Sequence, residues 1–302
     1  MIENTWSGME VREASPADVE ELLAVAHQAA VAGAAVLAER NDVVPSGMIL
    51  SAAESGVETK SSEADLVTDF DRRAEEAVRE VIARRRPHDA VTGEEYGTTT
   101  PEAATGYRWS IDPLDGTTNF VRGIVYYGTS VAVMGPDGGW LAGVVRAPAI
   151  GRLWWASRGA GAWTARFGPA PFEQEEISEP VRLRHTGGEP SAGLLSTGFG
   201  YDAARREEQS RAVLAMLPHF GNLRRLGAAA LDICMVADGS VDAYAEYGIW
   251  EHDWAAAALI AEEAGAPVRR PAEPDSSRQP DWCVVGRIGI PLDQLSPPPL
   301  DR

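Results

Sequence analysis

The run Trp109-Ser110-Ile111-Asp112-Pro113-Leu114-Asp115-Gly116-Thr117-Thr118-Asn119-Phe120 opens as a short apolar stretch and closes on two aspartates. It reads as a buried strand ended by a tight turn. Pro113 fixes φ and removes a ladder donor, and Gly116 admits backbone that other residues avoid. Two carboxylates at one strand end repel each other unless a cation lies between them. Unpaired buried carboxylates are costly, so the economical reading is a divalent metal held by Asp112 and Asp115. Hard oxygen donors suit Mg²⁺ or Mn²⁺ rather than zinc. The plain alternative is an Asx-rich turn that holds nothing.

Outward from this run, helix and strand signals mix along the whole chain. Pro16 to Arg40 reads as a long alanine-rich helix with Ser15 as N-cap and Leu22, Val25, Ala29, Ala32 and Val36 on one face. Residues 41–62 read as a loop or loose hairpin, and Phe70 to Arg86 as an amphipathic helix stopped by Pro87. A short strand, Ala90-Val91-Thr92, leads into Gly93-Glu94-Glu95. Three strands follow the Asp-Pro-Leu-Asp turn: Gly128–Met134, Trp140–Ala147 and Arg152–Ser157. Residues 165–190, rich in proline and acid, read as a surface connection. The second half offers strands at 194–197, 241–246 and 282–285, with helices at 203–217, 226–237 and 252–265. Such mixing predicts a layered α/β or α+β architecture. The organisation predicted is a flexible tail (1–16), an N-terminal α+β part carrying most acids (17–180), a C-terminal α/β part (181–290) and a mobile tail (291–302).

At 302 residues with 44% hydrophobic content, the chain can bury a substantial core. Its net charge of -18 argues against nucleic acid as a partner and requires bound cations if the substrate is an anion. No run of 18 apolar residues and no signal peptide is visible, so no membrane partner is expected. Cys234 and Cys283 lie far apart and read as buried thiols of a reducing cytoplasm.

Three further sets of acids stand at element ends: Asp65 and Asp71, Glu94 and Glu95, and Asp253. Each has an ordinary reading as a helix N-terminal acid or a solvated turn. Together with the Asp112 turn they fit a site assembled from distant segments around two metals. The segments Asp65-Leu66-Val67-Thr68 with Asp71, Gly93-Glu94-Glu95, Asp112-Pro113-Leu114-Asp115-Gly116-Thr117-Thr118-Asn119-Phe120 and the late Asp253 resemble the inositol monophosphatase family over residues 17 to 290. The resemblance implies an αβαβα sandwich of the inositol monophosphatase / fructose-1,6-bisphosphatase type, and a Mg²⁺-dependent, lithium-sensitive phosphomonoesterase.

Residue by residue, the resemblance implies that Glu94, Asp112 and the Leu114 carbonyl bind a first metal. Asp112, Asp115 and Asp253 then bind a second, with Glu94 helping to hold a looser third. Thr117, paired with Asp71, orients an attacking water; Gly116 and Thr117 amides meet phosphate oxygens. Glu246 contacts a substrate hydroxyl, and Lys60 belongs to a metal-side loop. A homodimer acting on a small phosphorylated substrate is implied. This chain departs from the pattern at His252, which stands where the family commonly has tryptophan and is read as a capping or packing residue, with a substrate-side group as the alternative. The other histidines, His27, His88, His185 and His219, show no ligand spacing. Asn119-Phe120-Val121-Arg122-Gly123 also resembles relatives acting on histidinol phosphate. Inositol 1-phosphate is the favoured substrate, with histidinol phosphate or fructose 1,6-bisphosphate as alternatives, and a non-catalytic protein-binding regulator as a third reading.

Overall fold

The computed structural model describes residues 14–45, 47–51, 54, 56–60, 66–168, 176–187, 192–272 and 281–295. The predicted tails up to residue 13 and from 296, together with Ser61, Ser62 and Asp65, lie outside them.

Helix α1 (Pro16–Ala38) begins where the sequence predicts. The Ser15 hydroxyl accepts the Asp18 N–H at 3.2 Å while the Asp18 carboxylate accepts the Ser15 N–H at 2.9 Å. Its buried stripe is turned from the predicted one: Leu22, Val25 and Ala29 are buried, but Ala32 and Val36 are half-exposed, and Gly33 and Leu37 take their place. Gly33 explains the turn, because a Cβ there would lie 2.8 Å from Val78 and from Thr129. The segment Pro16–Val43 is long and apolar enough to cross a bilayer, but here the apolar side of α1 is buried in the core.

The predicted loop 41–62 opens instead on the short helix α2 (Arg40–Val43), and its end contributes strand β1 (Glu58–Thr59), which pairs antiparallel with β2 (Leu66–Val67) beyond the predicted range. Helix α3 (Asp69–Arg85) packs beside α1 on one face of an eight-stranded sheet. The sheet comprises β3 (Ala90–Gly93), β4 (Gly97–Thr99), β5 (Arg108–Asp115), β6 (Gly128–Met134), β7 (Trp140–Ala147), β8 (Arg152–Ser157), β9 (Gly161–Arg166) and β10 (Val181–Arg182). Its order is β10-β9-β8-β7-β6-β5-β3-β4, and only the β3–β5 pair is parallel. The predicted surface connection 165–190 therefore begins inside β9 and contributes an edge strand, because Val181 and Arg182 pair with Thr164 and Trp163.

The short helix α4 (Thr117–Arg122) follows β5 directly. A second sheet of five strands, β11 (Leu194–Ser196), β12 (Asn222–Arg224), β13 (Ala243–Tyr247), β14 (Val268–Arg269) and β15 (Trp282–Gly286), has the order β12-β11-β13-β15-β14. Helix α5 (Ala203–Met216) covers its outer face through Ala212, Val213 and Met216. Helices α6 (Ala229–Ala237) and α7 (Glu251–Glu263), alanine-rich and almost wholly buried, lie between the two sheets. The layers therefore run αβαβα. Small side chains are needed in the middle layer: Gly143 of β7 is so close to α7 that a Cβ would meet the Ala256 backbone at 2.8 Å.

Candidate metal centre and active site

Strand β5 is buried along its length, and its pairing with β6 shifts register between Asp112 and Asp115. Pro113 supplies no N–H there, so the bulge falls where the ladder is already weakest. Gly116, at φ 92°, then starts α4; a Cβ at this position would press on the Tyr126 carbonyl at 3.0 Å. The turn delivers Asp112, the Leu114 carbonyl, Asp115 and Thr117 to one end of the sheet. They open onto a cleft of about 690 Å³ that is also lined by Lys60, Glu94, Glu246, His252 and Asp253.

Each acid arrives on a different device. Asp112 is buried and accepts the Leu114 N–H at 3.0 Å. Both oxygens of Asp115 accept amides that open α6, Ala229 at 2.9 Å and Ala230 at 2.8 Å. That helix has no capping side chain of its own, so Asp115 serves as its cap from the other sheet. Asp253 sits in the first turn of α7 and accepts the Trp250 N–H at 2.6 Å. Glu94 follows β3 on a turn hung from Glu75 of α3. The fully buried Glu75 carboxylate accepts the Glu95 N–H at 2.7 Å and the Tyr96 N–H at 3.3 Å, with Arg79 at 2.7 Å. Lys60 bonds Glu94 at 2.8 Å and Glu95 at 2.5 Å. Burial opposes the Lys60 charge, but these two carboxylates raise its pKa above the ordinary value.

Asp71 is wholly buried, and one of its oxygens accepts the Thr68 N–H at 2.8 Å and hydroxyl at 2.6 Å, closing the cap of α3. Its other oxygen lies 3.0 Å from the Thr117 hydroxyl, which is also 3.1 Å from the Leu114 carbonyl. Thr117 has one proton and two acceptors waiting for it, so its lone pairs remain free toward the cleft. Burial lifts the Asp71 pKa to about 7, with Glu94 and Glu95 adding to the rise against the Thr68 bonds.

The far wall belongs to the second sheet. Glu246 of β13 accepts the Tyr244 hydroxyl at 2.7 Å, and burial raises its pKa to about 7. Gly198 makes room for it, since a Cβ there would collide with the carboxylate at 2.0 Å. Asp232 of α6, also buried and also raised to about 7 by burial, accepts the Tyr126 hydroxyl at 2.8 Å. Arg205 and Arg225 complete this side of the cleft.

The donor set fits a divalent cation. Burial pushes Asp112 and Asp115 well above the ordinary carboxylate range; Glu94 and Asp115 push Asp112 further, and Asp253 does the same to Asp115. Asp253 is raised in the same way by burial and Glu94, with His252 opposing. At separations near 4 Å, each like-charge pair costs about 4 kcal/mol at an effective dielectric of 20. One charged hydrogen bond contributes about 1.5–3 kcal/mol, so the Leu114 amide alone does not offset two such neighbours of Asp112. Among the described residues only Lys60 is bonded to any of the four as a counter-charge, with His252 Nε2 at 3.8 Å from Asp253. A cation with hard oxygen preference relieves this arrangement.

All ten sequence-predicted site residues stand at this cleft, Asp71 directly behind Thr117. His252 stands half-buried at the cleft, and one ring nitrogen lies within 4.8 Å of carboxylate oxygens of Glu94 and Asp112. Sequence reading also passed over Glu75, Asp232, Tyr126, Tyr244, Arg205 and Arg225. Tyr126 and Asp232 pair across 106 positions, which no local spacing signals, whereas Tyr244 and Glu246 stand two apart on β13, where strand alternation puts them on one face.

A family model described as the inositol monophosphatase family matches residues 18–289. The inositol-1-monophosphatase of Mycobacterium leprae is 41% identical over 260 residues, covering 84% of this chain and 85% of that protein. A histidinol-phosphatase of Mycobacterium tuberculosis is 38% identical over 200 residues, covering 66% of this chain and 72% of the relative. The solved structure of Mycobacterium tuberculosis SuhB superposes with a TM-score of 0.69 at 33% identity, covering 94% of this chain and 96% of that one.

Proposed function

The chain belongs to the inositol monophosphatase family and is a phosphoric monoester hydrolase, and from that premise we propose that it hydrolyses inositol 1-phosphate with Mg²⁺ as cofactor. The observation that carries the reading is the gathering of Glu94 from the turn after β3, Asp112 and Asp115 from β5, and Asp253 from α7, on one cleft that also holds Glu246. Glu94, Asp112 and the Leu114 carbonyl would hold one Mg²⁺, and Asp112, Asp115 and Asp253 a second; Mn²⁺ suits the same donors. When bound, such ions cancel phosphoryl charge and lower the pKa of a water toward neutrality.

The chain's own residues do the rest. Asp71 and the Leu114 carbonyl take the Thr117 proton, which leaves the Thr117 oxygen as the acceptor that aims a nucleophilic water. Phosphoryl transfer asks the protein for alignment and charge cancellation more than for covalent chemistry, and none of these residues needs to form an intermediate. The amides of Gly116 and Thr117, at the start of α4, would meet phosphate oxygens, as the family resemblance implies. Glu246 and Asp232, each held by a tyrosine hydroxyl, offer acceptors to the hydroxyl groups of a polyol. Buried free Cys234 and Cys283 support a cytoplasmic setting.

A second reading, histidinol phosphate, is favoured by the acidic far wall and by the histidinol-phosphatase relative. Arg225 weakens it, because its charge lowers the carboxylate affinity for protons at both Asp232 and Glu246 and opposes a cationic leaving group there. Phosphate release should be measured over inositol 1-phosphate, histidinol phosphate and fructose 1,6-bisphosphate, with and without Mg²⁺. Mg²⁺-dependent turnover of inositol 1-phosphate with the highest kcat/KM is the expected result. Preference for either competitor, or turnover indifferent to chelation, overturns the assignment.

A further inference from the structure

We propose that His252 is a ligand to the cation held by Glu94 and Asp112, adding one imidazole nitrogen to an otherwise all-oxygen donor set. The inference rests on the metal reading above and concerns what this chain adds to it. One ring nitrogen of His252 and one carboxylate oxygen from each of Glu94 and Asp112 all lie within 4.8 Å of one another. Ligand atoms at roughly 2.0–2.2 Å from a shared ion are at most about 4.4 Å apart, so the triangle closes with a small side-chain adjustment.

Among the described residues, only a loose electrostatic approach to Asp253 engages the ring. Its Nε2 is 3.8 Å from the nearest oxygen of Asp253, beyond hydrogen-bond distance, and among the described residues no hydrogen bond involves the imidazole. The side chain is half-buried and lines the cleft, unlike a capping residue turned outward. The backbone beneath it is held. Glu251, its neighbour, takes both terminal nitrogens of Arg108 at 2.5 and 2.7 Å, which pins the start of α7 to the start of β5. Tryptophan, which the family resemblance places at this position, has no lone pair to offer a metal. Imidazole suits first-row transition metals better than Mg²⁺. The site is therefore biased toward Mn²⁺, Co²⁺ or Zn²⁺ relative to the same acids without His252.

The test loads the full chain with Mn²⁺ and reads nitrogen hyperfine coupling by electron spin echo envelope modulation. Wild type should show coupling from a directly bound nitrogen, and His252→Gln and His252→Trp should lose it. In parallel, Mn²⁺ affinity by spin-resonance titration should fall about tenfold or more in both variants, while Mg²⁺ affinity by competition changes by less than about threefold. Bound Mn²⁺ without nitrogen coupling in the wild type overturns the inference alone, as does coupling that persists in His252→Gln. Failure of the wild type to bind Mn²⁺ at all overturns both this inference and the metal reading beneath it. The wild-type spectrum decides the matter even if neither variant folds.

Discussion

On one wall of the cleft Asp112 accepts a single backbone N–H and faces Glu94, Asp115 and Asp253; on the other, Asp232 and Glu246 each accept a tyrosine hydroxyl, from half-buried Tyr126 and buried Tyr244. All are buried or half-buried acids in one cavity. The protein plainly can furnish a buried carboxylate with its own donors, since it does so at Asp71, Asp115, Glu75, Asp232 and Glu246. The shortage around Asp112 is therefore local. One wall is built to be completed by an external cation, and the other is complete without one. On the proposed function, that division separates the work, the first wall handling phosphoryl charge and the second recognising hydroxyls.

The sharpest way to break the comparison is Asp112→Asn. Hydrolysis should fall by at least about 10²–10³-fold with the fold intact by circular dichroism. The metal-free protein should melt at a higher temperature, because one mutually repelling charge is gone. The Mg²⁺-dependent gain in stability, about 2.7 kcal/mol at a hundredfold excess over Kd in wild type, should vanish. Retained turnover, or an unchanged Mg²⁺ gain, would place the demand for a cation elsewhere.

Thr117→Ala removes only the oriented hydroxyl between the walls. It should lower kcat by about 10²-fold while KM stays within about threefold, as steady-state kinetics on inositol 1-phosphate will show. A change confined to KM contradicts the water-aiming role. Tyr244→Phe tests the opposite wall. KM should rise about tenfold with kcat little altered, and the Mg²⁺ stability gain should match wild type. Loss of that gain would mean the two walls are not separable.

The smallest effect expected is in pH dependence. Asp232 has a folded pKa of about 7 against an ordinary 3.8, chiefly from burial. The folded protein then holds a proton that the unfolded chain has lost. The corresponding stability is full below pH 3.8 and disappears as pH rises through about 7. Asp232→Asn should flatten the loss between those limits by on the order of 1 kcal/mol, with Mg²⁺ present, by chemical denaturation at acidic and neutral pH. An unaltered slope would show that burial does not hold a proton on Asp232 over that range, the Tyr126 bond acting in the opposite direction.

Legibility in the sequence followed the range of the forces involved. Strands 128–134, 140–147 and 152–157 stand as read, because adjacent antiparallel strands write their pattern and turns locally. The edge strands Asn222–Arg224 and Val268–Arg269 were invisible, since two or three residues become strand only through a partner from elsewhere. Helix α6 starts at Ala229 rather than 226: Gly227 sits at φ 90°, and the Leu226 carbonyl is taken by the Asn119 side chain across 107 positions. Within the site, the Asp112–Thr117 turn carries its chemistry in its own spacing. Glu94 and Asp253 are legible as acids at element ends that a two-metal site would gather, Glu246 only through family resemblance, and Glu75 and the tyrosines only through coordinates.

The cap of α3 has a further implication. The carboxylate of Asp71 closes the helix end through Thr68 and steadies Thr117 at the same time. When that helix end frays, the water-aiming hydroxyl loses its support in the same event. Heat inactivation should therefore run ahead of global melting, with the enzyme falling silent while both sheets are still assembled.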